Sequence, residues 1–207
     1  MSRNPPSTSR QGYTERLVRE QEAWWKRLFD VQAPYRRHLR RLELGFTLDV
    51  GCGLGRNLLH LEGRGVGIDH NPHSVEVARS RGVEAFTPDA FDASAFNEPG
   101  RFDSLLLSHV AEHVGRSAAV QLLRRYGAVL KSGGRVVLIT PQEYGYRPDP
   151  THVEFLDFVA LRGIAGGAGL RFVEEYSFPF PRFFGPLFRH NEFVSISEKP
   201  SEWSDTP

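Results

Sequence analysis

The sequence predicts an α/β fold: a doubly wound, mostly parallel sheet with helices on both faces. Two patterns indicate this fold class. Short β-rich runs alternate with helical stretches from about residue 46 onward, which is typical of βαβ units. In addition, runs such as LLL and VVLI are almost entirely apolar, as expected of strands that are buried on both faces of a sheet.

Seven runs are predicted to be strands: FTLDV, GVGI, VEAF, DSLLLS, RVVLIT, LRFVEE and EFVSISEK. Helices are predicted near residues 57–62, 72–81, 117–130 and 153–168. No helix separates the last two strands, so they should pair as antiparallel neighbours around a long connection. That connection would either cover the sheet edge or form an apolar wall of a substrate pocket, because it carries four phenylalanines: Phe180, Phe183, Phe184 and Phe188.

The chain divides into four predicted segments. Residues 1–12 are polar and contain two prolines and three serines, which predicts a disordered tail. Residues 13–42 show apolar positions at helical spacing, interrupted at Pro34, and are predicted to form an N-terminal helical cap. One large domain should occupy residues 43–199, followed by a flexible tail over residues 200–207.

Composition excludes several function classes. The formal net charge of +1 is close to neutral, which argues against a dedicated nucleic-acid partner for the chain as a whole, although the YRRHLRR stretch is locally basic. A single cysteine, Cys52, excludes an internal disulfide framework and suits a reducing compartment. We find neither a signal peptide nor an apolar run long enough to span a membrane. The expected location is therefore the cytoplasm; the oligomeric state is left open.

The segment LDVGCGLGRNLLHL, residues 48–61, predicts a ligand-binding turn. Three glycines, Gly51, Gly53 and Gly55, directly follow a strand and precede a helix. Glycine permits a positive φ and lets a ligand approach the main chain closely. Asp69 ends the next strand, GVGID, where an acid can accept hydrogen bonds from both ribose hydroxyls of an adenosine.

The spacing of the glycines narrows the choice of cofactor. A dinucleotide site has the pattern G-x-G-x-x-G, but this chain has G-x-G-x-G and places Arg56 where the last glycine would stand. The G-K-[ST] sequence of a P-loop is absent. The loop therefore suits a pyrophosphate poorly and a smaller, zwitterionic adenosine derivative better.

Taken together, LDVGCGLGR, GVGID, TPDAFD and FDSLLLSHVAEHV resemble the motifs of class I S-adenosylmethionine (SAM)-dependent methyltransferases, which have a Rossmann-like fold. The chain is most similar to the group that includes the ubiquinone-pathway O-methyltransferases. The resemblance implies SAM as the cofactor. The glycine loop would hold its methionine part, Asp69 its ribose, and Asp89 with Ala90 its adenine. Ser108 and His109 would lie beside the transferred methyl. The implied contacts are Asp49, Gly51, Cys52, Gly53, Gly55, Asp69, Asp89, Ala90 and Ser108.

A second motif, SHVAEHV, brings together His109, Glu112 and His113, and His152 follows the fifth strand. These side chains are a plausible ligand set for a divalent metal ion. The pattern resembles metal sites of ubiquinone-pathway and small-RNA 2′-O-methyltransferases, except that His109 stands where an acid is usual. Alternatively, Glu112 and His113 orient a catalytic base, His109 or His152, that works without a metal, or the cluster has a purely structural role.

The sequence thus predicts a SAM-dependent methyltransferase that methylates oxygen on a small-molecule or glycan-like acceptor. Three alternatives remain: a metal-dependent RNA 2′-O-methyltransferase, a protein that binds the cofactor without turnover, and a nicotinamide-dependent oxidoreductase. Arg56 disfavours the oxidoreductase.

Overall fold

The computed structural model describes residues 32–204 and divides them into two compact units, which meet in sequence between Ser94 and Ala95. We refer to residues 32–94 as the N-terminal unit and to residues 95–204 as the C-terminal unit. The predicted disordered tail and most of the predicted helical cap lie outside the described residues. Of the cap, the structure describes the helix α1 (Ala33–Arg41), which has Pro34 in its first turn.

The N-terminal unit alternates strands and helices after α1. Its elements are β1 (Thr47–Val50), α2 (Arg56–His60), β2 (Gly65–Ile68), α3 (Pro72–Ser80), β3 (Ala85–Phe86) and α4 (Pro88–Asp92). The strands are parallel and lie in the order β3-β2-β1. Because parallel strands end at the same edge of a sheet, the loops that follow β1 and β2 are neighbours there.

The C-terminal unit contains the remaining four strands. Its elements are β4 (Phe102–Ser108), α5 (Ala111–Val114), α6 (Arg116–Gly127), β5 (Leu130–Pro141), α7 (Glu143–Tyr146), α8 (Phe158–Gly167), β6 (Arg171–Phe178), a 3₁₀ turn (Arg182–Phe184) and β7 (Glu192–Glu198). The strand order is β4-β5-β7-β6. β4 and β5 are parallel, and β7 is antiparallel to both of its neighbours.

The direction of β7 decides which residues meet at the functional edge of this unit. In register, Glu192 at the start of β7 pairs with Pro141 at the end of β5 and with Phe178 at the end of β6. The first residue of β7 therefore lies at the same edge as the carboxyl ends of β5 and β6. This arrangement confirms the predicted antiparallel pairing of the last two strands.

Within each unit the paired strands are parallel except for β7, the last strand in the chain, which is antiparallel to its neighbours, so the predicted fold class is confirmed. The core consists mainly of leucine, valine, isoleucine and phenylalanine side chains from the strands and the inner faces of α6 and α8. Within residues 32–204, no helix is long and apolar enough to cross a membrane.

Local chemistry explains where the elements differ from the predictions. The helix predicted over residues 153–168 begins at Phe158, because the Asp157 carboxylate caps it by accepting a hydrogen bond from the Ala160 N–H at 3.0 Å. The helices α4, α5 and α7 have only four or five residues and are too short to show a clear periodicity. In the predicted tail after residue 199, the Trp203 indole N–H donates to the Ala168 carbonyl at 2.8 Å.

Candidate active site

The loop between β1 and α2 depends on its glycines. Gly51, Gly53 and Gly55 all have a positive φ, at 78°, 53° and 76°. A side chain at Gly55 would also collide with Val83, whose nearest carbon would lie 2.9 Å from the added Cβ. At Gly53, by contrast, an added Cβ would meet no atom within 4 Å, so this part of the loop is open to a ligand.

Asp69, at the end of β2, joins this loop to the start of α3. Its Oδ2 accepts a hydrogen bond from the Gly53 N–H at 2.8 Å, and its Oδ1 accepts one from the Asn71 N–H at 2.9 Å. The carboxylate is buried. Each carboxylate oxygen retains a second lone pair after these bonds. The residue predicted to hold the ribose is thus fixed in orientation and keeps further acceptor capacity.

Asp49 lies fully buried at the third position of β1. Its Oδ1 accepts a weak hydrogen bond from the Asn57 amide at 3.4 Å, and its Oδ2 has no hydrogen-bond partner within residues 32–204. Burial raises the pKa of this carboxyl to about 7, against the opposing effects of Asn57 and of the positive charge on Arg56. A cationic ligand group would relieve this cost by favouring the ionised carboxylate.

Cys52, which lies between two glycines of the loop, has a buried side chain. The thiol packs into a buried cluster with Leu58 and Val75, and a Cβ on Gly67 would lie 2.5 Å from its sulfur. The Cys52 N–H donates to the Ile68 carbonyl at 3.0 Å. The Cys52 side chain therefore packs into the core under the loop, and its thiol does not face the open side of the loop.

Asp89 and Ala90, predicted at the adenine, lie in the first turn of α4. Both are exposed, as a contact with the edge of a base requires. The helix begins after Thr87 with Pro88 in its first turn, where backbone N–H groups have no partner within the helix. These positions complete the predicted cofactor residues of the N-terminal unit.

In the C-terminal unit, Ser108 ends β4 and His109 follows it with a φ of 59°, which is unusual for a residue other than glycine. The two ring nitrogens of His109 contact two carboxylates: Nδ1 lies 3.2 Å from Glu112 Oε1, and Nε2 lies 2.8 Å from Glu192 Oε1. Burial lowers the pKa of His109, but the bonds to Glu112 and Glu192 outweigh it and raise the pKa to about 10.

This charged state bears on both predicted roles of His109. An imidazole that carries protons on both nitrogens has no lone pair with which to accept a proton or bind a metal ion. His109 therefore bridges the carboxylates of Glu112 and Glu192, and this arrangement disfavours its predicted roles as catalytic base and as metal ligand.

The other three residues of the predicted set do come together. One ligand atom each of Glu112, His113 and His152 lies within 4.8 Å of the other two. His113 Nδ1 contacts the Thr151 carbonyl at 3.3 Å and the Thr151 hydroxyl at 3.0 Å, and that hydroxyl donates to Asp149. Both Thr151 oxygens thus act as acceptors, so Nδ1 of His113 carries the proton and Nε2 has the lone pair.

His152 is oriented in the same way. Its Nδ1 lies 2.7 Å from the Tyr146 carbonyl, which can only accept a hydrogen bond, and its ring stacks on the Tyr146 ring at 4.9 Å. The lone pair of a neutral His152 is therefore on Nε2. Burial lowers the pKa of His113, which keeps that ring neutral at pH 7. A hydrogen bond from one ring nitrogen to a carbonyl is typical of histidines that bind a metal through the other.

Sequence reasoning missed Glu192. The residue is buried at the start of β7 and contacts His109, 83 positions earlier in the chain. The available signal was its position: β7 was predicted to be antiparallel, so its first residue had to lie at the same edge as the ends of the parallel strands. A glutamate at that place is a candidate for the site.

Residues 48–138 match the model of a family described as a methyltransferase domain. The chain is 33% identical over 110 residues to a ubiquinone biosynthesis O-methyltransferase of Xanthomonas euvesicatoria, covering 48% of this chain and 45% of that protein. It is 28% identical over 164 residues to the protein of the same name from Xanthomonas campestris, covering 68% of this chain and 66% of that protein. The chain thus spans about half the length of the first of these relatives.

The fold is also similar to the folds of solved SAM-dependent methyltransferase structures. A SAM-dependent methyltransferase from Archaeoglobus fulgidus superposes with a TM-score of 0.64 at 20% identity, covering 80% of this chain and 93% of that one. The fold, the glycine loop and the family match together confirm the predicted resemblance to class I SAM-dependent methyltransferases.

Proposed function

We propose that this protein transfers the methyl group of SAM to an oxygen of a small-molecule or glycan-like acceptor. The observation that supports the proposal most strongly is the pair of loops joined by Asp69. This carboxylate accepts hydrogen bonds from Gly53 and Asn71, one in each loop, and so holds a glycine-rich turn open beside an oriented acid.

The residues of the N-terminal unit fit the chemistry of SAM. The cofactor carries an ammonium group and a sulfonium, and a buried carboxylate with an unpartnered oxygen, as at Asp49, is complementary to such positive charge. The lone pairs that Asp69 retains would accept the ribose hydroxyls. The exposed first turn of α4, with Asp89 and Ala90, would contact the adenine.

When bound, SAM supplies a methyl group already activated by its sulfonium, so the chain has only to orient the acceptor and remove its proton. For a protein without a bound metal ion, we assign the proton acceptor to His152 Nε2. The Tyr146 carbonyl holds the proton of this ring on Nδ1, which leaves Nε2 as the basic nitrogen of a ring whose centroid lies 4.7 Å from that of His113. Ser108, at the end of β4, remains a proposed contact near the methyl group.

The same three side chains also fit a divalent metal ion. Glu112 offers a buried carboxylate oxygen without a hydrogen-bond partner in residues 32–204, and His113 and His152 offer Nε2 lone pairs. A bound ion would lower the pKa of an acceptor hydroxyl and so assist its deprotonation. Glu112, His113 and His152 would hold it. This fit is compatible with the RNA 2′-O-methyltransferase alternative, but a net charge of +1 does not favour a nucleic-acid acceptor.

The proposal is tested with the full chain and methyl-labelled SAM. Calorimetry measures cofactor binding, and a panel of hydroxyl-bearing metabolites and glycans is screened for transferred label, with and without added divalent metal. We expect binding of SAM and a labelled O-methyl product. Binding without transfer to any acceptor would support the non-catalytic alternative, and a labelled nitrogen in the product would contradict the assignment to oxygen.

A further inference from the structure

We infer that Glu192 is a positioning residue: acting through His109, it holds Glu112 so that Glu112 presents a single oxygen to a divalent transition-metal ion bound with His113 and His152. The inference rests on the histidine–glutamate cluster of the proposed function. It concerns a residue, Glu192, that is brought to the cluster only by the antiparallel β7.

The contacts form a continuous chain. Glu192 Oε1 lies 2.8 Å from His109 Nε2, and His109 Nδ1 lies 3.2 Å from Glu112 Oε1. A carboxylate oxygen without a proton can only accept a hydrogen bond, so the geometry places a proton on each ring nitrogen. His109 is thereby tied at both ends, and one oxygen of Glu112 is committed to it.

The second oxygen of Glu112 has a different environment. Glu112 is fully buried, and its Oε2 has no hydrogen-bond partner in the described part of the chain. Leaving a carboxylate oxygen buried without a partner is costly. Since one ligand atom of Glu112 lies within 4.8 Å of ligand atoms of His113 and His152, a cation between the three would satisfy Oε2.

The local charge also favours a cation. Glu112 and Glu192 together carry two negative charges, and the doubly protonated His109 compensates one of them. Glu192 Oε2 likewise lacks a hydrogen-bond partner among residues 32–204. Two buried carboxylates therefore share the single imidazole of His109, and a divalent cation beside them would supply further positive charge.

Glu192 is itself held rigidly. Its carbonyl accepts a hydrogen bond from the Gln142 side-chain amide at 3.0 Å, and the preceding residue, Asn191, donates from its own amide to Gln142 Oε1 at 3.0 Å. Gln142 and Asn191 are fully buried. The register between β5 and β7 therefore fixes the position from which Glu192 reaches His109.

The ligand set indicates the class of metal ion. Two imidazole nitrogens and one monodentate carboxylate are suited to Zn²⁺, Co²⁺ or Fe²⁺, whereas Mg²⁺ prefers oxygen ligands. With three protein ligands, such an ion would keep an open position. We therefore expect the site to prefer Co²⁺ and Zn²⁺ to Mg²⁺.

The test measures metal binding by the full chain after chelation and dialysis. Co²⁺ alone is titrated, and its visible absorption reports its coordination; Zn²⁺ and Mg²⁺ are then added as competitors. We compare the wild type with Glu192→Gln, which keeps an acceptor for His109 but removes the charge, and with Glu192→Ala. The matched control is Glu198→Gln, since Glu198 lies at the opposite end of β7 and pairs with Arg171 at the surface.

We expect the wild type to bind Co²⁺ and to release it to Zn²⁺ but not to Mg²⁺. Glu192→Gln should weaken Co²⁺ binding on the order of tenfold and Glu192→Ala on the order of 100-fold, the usual range for residues that orient metal ligands, with a changed Co²⁺ spectrum. Glu198→Gln should bind as the wild type does. If Glu192→Ala does not fold, Glu192→Gln alone decides the outcome.

Three results would overturn the inference: no Co²⁺ binding by the wild type, a preference for Mg²⁺, or wild-type affinity and spectrum in the Glu192 variants. Calorimetry with SAM separates this inference from the proposed function. A chain that binds SAM and transfers methyl groups without metal retains the proposed function while the inference fails. A chain that shows the expected Co²⁺ series but does not bind SAM supports the inference and contradicts the proposed function.

Discussion

Asp69 has two structural hydrogen bonds in addition to its proposed contact with the cofactor, and both influence what its replacement should do. In Asp69→Asn, only one side-chain oxygen remains to accept hydrogen bonds. The side-chain NH₂ group would then face the N–H of either Gly53 or Asn71, and two donors cannot pair. We expect SAM binding to weaken by about 1.5–3 kcal/mol, the range for hydrogen bonds to a charged group. Isothermal titration calorimetry measures the change.

The matched control for this variant is Asp103→Asn, which removes an exposed ion pair with Lys131 in the C-terminal unit. Its SAM affinity should equal that of the wild type. Undiminished affinity in Asp69→Asn would remove the central assignment of the cofactor residues.

Asp49 should make the stability of the cofactor-free protein depend on pH. Because the folded-state pKa, about 7, is above the ordinary value of 3.8, proton binding favours the folded chain. This contribution to stability is fully present below pH 3.8 and is lost as the pH rises through 7. Relative to Asp49→Asn, the wild-type free energy of unfolding should therefore fall between pH 4 and 8, by at most about 4 kcal/mol.

Urea denaturation at several pH values, without SAM, measures this difference. SAM should reduce it, because its positive charge favours the ionised carboxylate. Parallel stability curves for the wild type and Asp49→Asn would show that Asp49 titrates normally.

At the scale of elements, the connection between β6 and β7 is anchored by a hydrogen bond and carries exposed aromatic side chains. Asn191 anchors it by accepting from the Phe180 N–H at 2.9 Å. Phe184 packs inside the connection against Phe180 and Phe183, at ring-centroid distances of 5.4 Å and 4.4 Å. Phe183 is 69% exposed. Phe184 therefore supports the connection, and Phe183 is the better candidate for contact with an acceptor.

We expect Phe183→Ala to raise the KM for the acceptor several-fold and to leave SAM affinity unchanged, because an exposed ring contributes little to folding. Steady-state kinetics and calorimetry give the two quantities. Phe172→Ala is the matched control, since this phenylalanine is also partly exposed but lies on β6. Equal losses for acceptor and cofactor in Phe183→Ala would instead indicate a role in folding.

At the scale of the whole molecule, metal removal tests whether the cluster binds an ion in the natural protein. We expect the purified chain to contain about one divalent ion, and His152→Ala to lower metal content and methyl transfer together. Ligation requires neutral imidazoles, and burial lowers the pKa of His113 from its ordinary value of about 6.5, so bound metal should be lost at acid pH below that value. Elemental analysis at pH 8 and pH 5.5, with transfer assays after chelation and refilling, measures both effects.

A metal-free, chelator-insensitive and fully active protein would contradict metal binding and would leave His152 as the proton acceptor. In that case His152→Ala should lower kcat while wild type and variant alike contain no metal.

Saturating SAM should also raise the stability of the whole chain by mass action, by about 2.7 kcal/mol at a cofactor concentration of 100 Kd.

The sequence alone determined the order of the strands along the chain, the glycine turn and the acid after β2, because these depend on local chemistry. Glycine permits positive φ at Gly51, Gly53 and Gly55 wherever the turn occurs, and the apolar runs require burial in any fold. Local spacing likewise predicted that His109 and Glu112 would meet, since residues three apart share one side of a turn. Their contact at 3.2 Å agrees with that prediction.

Only the tertiary structure decided the chemical state of those residues. Glu192 meets His109 across 83 positions of the chain because β7 reverses direction, and no local pattern encodes that distance. Once a second carboxylate contacts the ring, His109 is a cation that bridges Glu112 and Glu192, and the basic nitrogens of the cluster are those of His113 and His152. Burial, likewise, raises the pKa of Asp49. Charge state depends on the neighbours that folding supplies, and those neighbours are distant in sequence.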